Sequence, residues 1–386
     1  MTASIPSSCG TDPEPQARRE ALAQRLVESA VATLELYGVH LGVRLGLYPL
    51  LAEHPRTPSE LAEAAGIAPR YAREWLEQQA VAGLLEVDDP TRPAGARRYR
   101  LPAATAPVLT EPEDPDHVAP LATMMVGVAS ALDRVEEAYR RGGGVSFAEF
   151  GPHMRHGQGG INRPAVARDL PAVWIPAMPD LHHRLRTTAT RIADVGCGVG
   201  WSTLALARAF PRADVVGVEP DAASIVEART HAARAGVAPR FVEGDAARLP
   251  QLGRFDLVVV VEALHDMRAP SAALAALRRA LAPDGSILVV DERVAERFQA
   301  PGDLIERLMY GWSVSHCLPA ALADAPPAPD LPDAEDALEP TGTALRPDTV
   351  RRLAARAGLE RMEELDVPHE LFRLYRLRPG AAEGAS

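Results

Sequence analysis

The residues best suited to chemistry begin with the segment ADVGCGVGWSTLALARAF, where Gly196, Gly198 and Gly200 separate a β-branched run from an Ala/Leu-rich one. Glycine is needed where a backbone turns sharply and a ligand must come close. The spacing is G-x-G-x-G, not the G-x-G-x-x-G that sets a pyrophosphate on a helix N-terminus. Asp194, just before the loop, suits a cationic ammonium, directly or through water. Cys197 lies within the turn. Twenty-five residues after Asp194, the run ADVVGVEP ends in Glu219 and Pro220. A carboxylate at a strand tip can accept both hydroxyls of a ribose. A third run leads into EGDAARLP, where Asp245 is placed for an adenine amino group and the backbone of Ala246 for a ring nitrogen. Four such elements in order describe a pocket for a nucleoside with a zwitterionic tail and no phosphate. A dinucleotide-binding domain is the reading they displace.

A second constellation follows a fourth strand, in FDLVVVVEALHDMRAP, where Glu262, His265 and Asp266 come together. Histidine suits proton removal near neutral pH. His316, in YGWSVSHCLPA, comes 51 residues later. The stretch EFGPHMRHGQGGINRPAV gathers His153, Arg155, His156, Gln158, Asn162 and Arg163. Its glycines read as a loop that approaches the ligand or closes over it, with Gln158 and Asn162 at the ligand's amino-acid end; a solvated loop is the plainer reading. Trp174 is a candidate pocket wall, though tryptophan is more often core.

Residues 1–17 read as a disordered tail and residues 18–105 as a winged helix. A helical stripe runs from Arg18 to Ala52. In TPSELAEAAGIAPRYAREWLEQQ, Ser59 is the expected N-cap, Gly66 the stop and Pro69 the start of a second helix. Strand-like pieces follow at Leu84–Val87 and Tyr99–Leu101. Residues 106–185 read as a helical connector and lid. From residue 186 to 386, β-branched runs at Ile192–Val195, Val215–Val218, Arg240–Val242, Leu257–Val261 and Ile287–Val290 alternate with helices, which means a parallel, doubly wound α/β sheet. Leu359–Leu365 and Glu370–Leu377 fit a closing antiparallel hairpin. Ser271 is the expected cap of the helix after the fourth strand. Residues 321–348, rich in Pro, Asp and Ala, read as a long mobile loop.

Composition narrows the partners. The chain has 386 residues, 52 Asp+Glu against 41 Lys+Arg, and a formal charge of −11. That balance disfavours nucleic acid and anionic membranes. Cys9, Cys197 and Cys317 form no C-x-x-C pair, so a reduced, cytoplasmic protein is expected. No secretory leader is read at the N-terminus, and Leu34–Leu51, the most apolar stretch, reads as a buried helix because His40 and Arg44 interrupt it.

The order DVGCGVG, VEPD, GDAARLP, FDLVVVVEALHDMRAP, LAPDGSILVVDE resembles class I S-adenosylmethionine-dependent methyltransferases over residues ~186–295. The winged helix and connector widen the likeness to plant-type and bacterial small-molecule methyltransferases, and GQGGINRPAV with LMYGWSVSHCLPAAL to actinobacterial winged-helix ones. The resemblance implies a Rossmann-like doubly wound methyltransferase sheet with an N-terminal α-helical winged-helix domain, and S-adenosylmethionine as cofactor. It implies an enzyme that methylates a small molecule, at oxygen first and at carbon or nitrogen next, as in natural-product tailoring. LHDM matches the family's His-Asp pair and makes His265 the candidate base; Met267 stands where a tryptophan is usual. His316 lies on the segment that covers the acceptor pocket. A subgroup methylating 2-oxo acids at carbon holds a metal on two such histidines, which here would be His265 and His316, with no third ligand apparent. The winged helix of the look-alikes is a dimerisation module, so a homodimer is expected. The rival is a DNA-binding regulator, supported by Arg92, Arg97, Arg98 and Arg100 on the wing but opposed by Arg70 and Arg73 cancelling Glu74 and Glu77 on the second helix.

Overall fold

The computed structural model describes residues 15–323 and 340–380. Cys9, most of the expected N-terminal tail and most of the expected 321–348 loop lie outside the described residues. Two compact units divide between Ala106 and Pro107.

The first unit begins with a 30-residue helix α1 (Pro15–Arg44), which Gly46, at φ 67°, turns into α2 (Leu47–Glu53). Leu34–Leu51 is therefore two helices rather than one. Nor is it uniformly buried: Leu34, Leu41 and Leu45 are exposed, while Leu47, Tyr48 and Leu51 are core. By length and composition, α1 would be able to cross a membrane. Helix α3 (Pro58–Ala65) is capped by Thr57, not Ser59. Pro58 takes the first helical position, so the cap must precede it, and Glu60 completes a capping box with Thr57. Gly66 ends α3 in the left-handed region, and Pro69 opens α4 (Pro69–Val81). Strands β1 (Glu86–Val87) and β2 (Tyr99–Arg100) pair antiparallel as the wing. The unit's core is Tyr48, Leu61, Leu76, Leu85 and Tyr99, all nearly inaccessible.

A short helix, α5 (Ala106–Thr110), leads into the second unit, where α6 (Pro120–Arg141) and α7 (Gly151–Asp169) pack on each other. The glycine-rich stretch read as a loop is thus a helix. Its glycines serve a close helix crossing: a Cβ on Gly157 would come within 2.7 Å of the backbone N of Met124, and one on Gly127 as close to that of Met154. A π-turn at Leu170–Trp174 and α8 (Pro179–Thr187) precede the sheet. Its strands are β3 (Thr190–Val195), β4 (Ala213–Glu219), β5 (Arg240–Glu243), β6 (Phe255–Val261), β7 (Leu281–Glu292), β8 (Arg361–Glu364) and β9 (Phe372–Arg378). They lie in the order β5-β4-β3-β6-β7-β9-β8, parallel up to β7 and antiparallel thereafter.

The parallel strands are near-continuous Val/Ile/Leu runs because both faces are covered. On one face Val195, Val218 and Val258 meet Leu274 and Leu277 of α11 (Pro270–Arg279) and Leu353 of α14 (Pro347–Arg356). On the other, Leu257, Val259 and Leu288 meet Leu181 of α8 and Leu206 of α9 (Trp201–Ala209). Helix α10 (Ala222–Ala235) follows β4; α12 (Leu304–Trp312), a π-turn at Ser313–Cys317 and α13 (Leu318–Ala321) follow β7. The cap of α11 is Ala269 rather than Ser271, since Pro270 again fills the first helical position. Strand order reverses at β3, flanked by β4 and β6, and open α/β sheets bind ligands beyond the strand ends at such a point.

Candidate active site

At that crevice, β3 hands over to α9 through Gly196, Gly198 and Gly200, at φ 76°, 50° and 88°. A side chain on Gly196 would strike Ala263 at 2.5 Å, while one on Gly198 would meet nothing within 4 Å. Gly198 therefore lines open space that a ligand can fill. Asp194 is inaccessible; its Oδ2 accepts the hydroxyls of Ser202 at 2.6 Å and Thr203 at 2.5 Å. Burial lifts its carboxyl to about 6 against those two bonds. Its described partners tie the loop to α9, so an ammonium would reach it only beside those hydroxyls. Cys197 is buried beneath the loop, and burial pushes its thiol up.

Glu219, at the tip of β4, is 7% exposed. Its Oε2 accepts from Gly198 N at 3.0 Å and its Oε1 from Asp221 N at 2.9 Å. Burial raises it to about 7, against the pull of those two amides. Pro220 is exposed beside it. Asp245 caps the 3-10 turn Ala246–Leu252, accepting from Ala247 N at 3.0 Å, with Ala246 buried. The carboxylates of Asp194, Glu219 and Asp245 thus end three neighbouring strands, with Glu262 ending a fourth. Glu262 sits at φ 46°, a left-handed conformation that is uncommon for a residue with a side chain and clusters at functional sites. Burial lifts Glu262 to about 7, opposed by a hydrogen bond from Asn162.

His265 is buried in a nest of acids. Its Nδ1 lies 2.9 Å from Asp291 Oδ1 and 3.1 Å from Glu292 Oε2, and its Nε2 3.3 Å from Asp266 Oδ1. Burial disfavours the imidazolium, but Glu292, Asp291 and Asp266 outweigh it and hold the pKa well above the ordinary value. Burial pushes Glu292 up, while His265 holds Asp291 down despite burial. Asp291 and Glu292 were not among the residues singled out from sequence. The signal was present in LVVDE: two acids end the strand that pairs with the one before His265, with Val261 opposite Val290.

His316 packs edge-on against Phe147 and Phe150, with its Nδ1 3.5 Å from Cys317 Sγ. Its Nε2 is buried without a hydrogen-bond partner, and burial lowers its pKa, opposed by the nearby Asp266. Among the described residues, the groups close enough to share a metal ion are His265, Asp266 and Cys317, or His265, Asp291 and Glu292. His316 is in neither group. His153 and Gln158 are half-buried on α7; His156 is exposed, 3.2 Å from Glu227. Trp174 is no pocket wall. It is inaccessible, packed edge-on against Phe372 and His369 in the apolar layer under the sheet.

Residues 192–285 match the family described as a methyltransferase domain, and residues 32–111 the Rv2258c-like winged HTH domain. The tetracenomycin polyketide synthesis 8-O-methyl transferase TcmO of Streptomyces glaucescens is 28% identical over 275 residues, 68% of this chain and 77% of that one. A ubiquinone biosynthesis O-methyltransferase of Azorhizobium caulinodans is 37% identical over 100 residues, 26% of this chain but 39% of that protein. An uncharacterized Synechococcus protein is matched over 24% of its length. Among solved structures, the mitomycin 7-O-methyltransferase MmcR superposes with a TM-score of 0.65 at 21% identity, covering 95% of this chain and 100% of that one. Human N-acetylserotonin methyltransferase in complex with S-adenosylmethionine gives 0.61 at 19%, covering 98% and 100%. Identities this low speak for the fold alone. The chain thus carries a methyltransferase domain over residues 192–285 and an Rv2258c-like winged HTH domain over residues 32–111, on a fold it shares with these methyltransferases.

Proposed function

We propose that the chain moves a methyl group from S-adenosylmethionine to an oxygen of a small molecule, in natural-product tailoring, with His265 as general base. The observation that carries this reading is the buried His265, anchored through Nδ1 to Asp291 on β7, the strand two places along the sheet from the glycine loop's own β3. When bound, the cofactor supplies a sulfonium-activated methyl group, so the protein has mainly to orient the acceptor and take its proton. The fit is chemical. Glu219 is a buried acceptor at the tip of β4 suited to ribose hydroxyls, Gly198 borders open space, and Asp245 with the backbone of Ala246, just past β5, would take adenine. With Nδ1 engaged by Asp291, proton exchange falls to Nε2, beside Asp266 and on the side of His316. Glu262 and Asp266 border the acceptor, and Gln158 and Asn162 the amino-acid end. The test is calorimetric binding of S-adenosylhomocysteine, then incubation with S-adenosylmethionine and panels of phenols, alcohols and carboxylic acids, read as a one-methyl mass gain. Absence of cofactor binding would sink the proposal; full turnover by His265→Asn would remove the base.

The unpartnered Nε2 of His316 keeps a second reading in view: metal-assisted methylation at carbon of a 2-oxo acid, with His265 and His316 moving together on an ion. Plasma mass spectrometry of tag-free protein decides it. Stoichiometric metal lost in both His265→Ala and His316→Ala would favour this reading, and metal-free, active protein would dismiss it. The DNA-binding reading loses its footprint. Arg92 pairs with Asp88, Arg97 with Glu77, Arg98 with Glu60 and Arg100 with Glu86, so the wing's charge is largely neutralised within its own unit.

A further inference from the structure

Along α7, Arg155, Gln158, Gly159 and Asn162 stand at i, i+3, i+4 and i+7, which places them on one face of the helix over about 10 Å. That face spans the cofactor crevice. At one end Arg155, almost inaccessible, donates from Nε to Asp221 Oδ2 at 2.7 Å. Asp221 caps α10 through Ser224 N and gives its own N–H to Glu219, so Arg155 braces the tip of β4. At the other end Asn162 hydrogen-bonds Glu262, at the tip of β6. Midway, a Cβ on Gly159 would lie 2.4 Å from Val199 Cγ2, so the helix backbone rests on the glycine loop itself. One group on this face is left over: Gln158 Oε1 is buried and has no hydrogen-bond partner.

A buried carbonyl oxygen needs a donor. The two strand tips that this face bridges carry the carboxyls of Glu219 and Glu262, so a cationic donor is favoured between them. S-adenosylmethionine carries two positive centres. The sulfonium has no N–H or O–H to give; the ammonium has three. We propose that this face of α7 is a positioning strap for the cofactor, fixing the spacing between the tips of β4 and β6 and presenting Gln158 Oε1 to the cofactor's ammonium. The inference rests on the S-adenosylmethionine reading above. Arg155, Gly159 and Asn162 act through the groups they brace, and Gln158 touches the ligand.

The experiment compares S-adenosylhomocysteine with 5′-methylthioadenosine, which keeps adenosine and sulfur but lacks the amino-acid end, by calorimetry on the full chain. Gln158→Ala should raise the Kd of S-adenosylhomocysteine about tenfold and leave that of methylthioadenosine within about twofold. Gln158→Leu, which keeps the bulk, should do the same. Arg155→Met should weaken both ligands, since it acts at the ribose end. Equal loss of both ligands in the Gln158 variants, or no loss of either, would overturn the proposal. Wild-type protein that binds neither ligand would overturn the methyltransferase reading instead, so the two failures are distinct.

Discussion

A carboxyl that burial has lifted to about 7 reports on what binds it. Ribose hydroxyls donate to the ionised form of Glu219, so binding must lower its pKa and release a proton. Affinity for S-adenosylhomocysteine should therefore strengthen with pH, by up to about tenfold per unit below pH 7, and level off above it. Glu262 at about 7 and Asp194 at about 6 titrate nearby, so the attribution needs Glu219→Gln, which should flatten the Glu219 part of the slope. Glu219→Ala should weaken binding by ~1.5–3 kcal/mol, the scale of a charge-assisted bond. A pH profile unchanged by Glu219→Gln would remove Glu219 from the ribose role. For His265 the direction with pH is the same but the cause is different. Its pKa stands well above the ordinary value, because Glu292, Asp291 and Asp266 outweigh the burial that opposes its charge. A base works only when neutral, so turnover should keep rising on the alkaline side of neutrality. Around its ring stand Glu262, Asp266, Asp291, Glu292, His316 and Cys317. Asp291→Asn removes one of the acids that stabilise the imidazolium and should move the rising limb to lower pH. If kcat against pH keeps the same midpoint in that variant, the titrating group is not His265.

The elements differ in how much of them could be read from sequence. The parallel strands were legible because a strand covered on both faces is a short, unbroken apolar run, and Leu257–Val261 admits little else. The glycine loop and the acids at the strand tips were legible because they follow those runs directly. Helix α7 was not. Gly157, Gly159 and Gly160 argue for a loop when only propensity is weighed, and their purpose appears only once α6 and the glycine loop lie against them. The caps at Thr57 and Ala269 were each displaced from the expected serine by a proline at the first helical position. Asp291 and Glu292 were passed over because an acidic strand end looks like solvation until a buried histidine faces it. The same logic gives a stability prediction. A Cβ on Gly127 would lie 2.7 Å from the backbone N of Met154, which cannot step aside as a flexible side chain can. Gly127→Ala should cost ~1–3 kcal/mol in thermal unfolding. Gly311, on α12 with nothing within 4 Å of its would-be Cβ, should tolerate alanine or gain up to ~1 kcal/mol. Equal effects at the two positions would mean that the α6–α7 crossing is not tightly packed.

At the scale of the whole molecule, the first half of α1 carries an apolar stripe that the described residues leave exposed. Leu22, Leu26 and Leu34 are 57, 63 and 65% exposed, and Val27 and Val31 stand beside them. A neighbouring groove of about 560 Å³ is lined by Leu34, Tyr37, Leu41, Leu45, Tyr71 and Trp75. Isolated surface leucines need no explanation, but a continuous stripe joined to an apolar groove marks an interaction site. We propose that a second copy of the chain covers it. The other candidate is a lipid surface, since α1 is long and apolar enough to cross a membrane. Charge argues for self-association. The helix mixes Arg18, Arg19 and Arg25 with Glu20 and Glu28, and the chain carries a net −11, whereas surface helices on anionic lipid are basic along their polar face. Acids in the stripe should therefore break a dimer: Leu26→Glu with Leu34→Glu should sediment at the 41.3 kDa of one chain while the wild type sediments at twice that mass. A wild type that stays monomeric at ~10 μM, as standard-sized interfaces do not, would end the dimer proposal, and one that instead co-floats with anionic vesicles would assign the stripe to lipid.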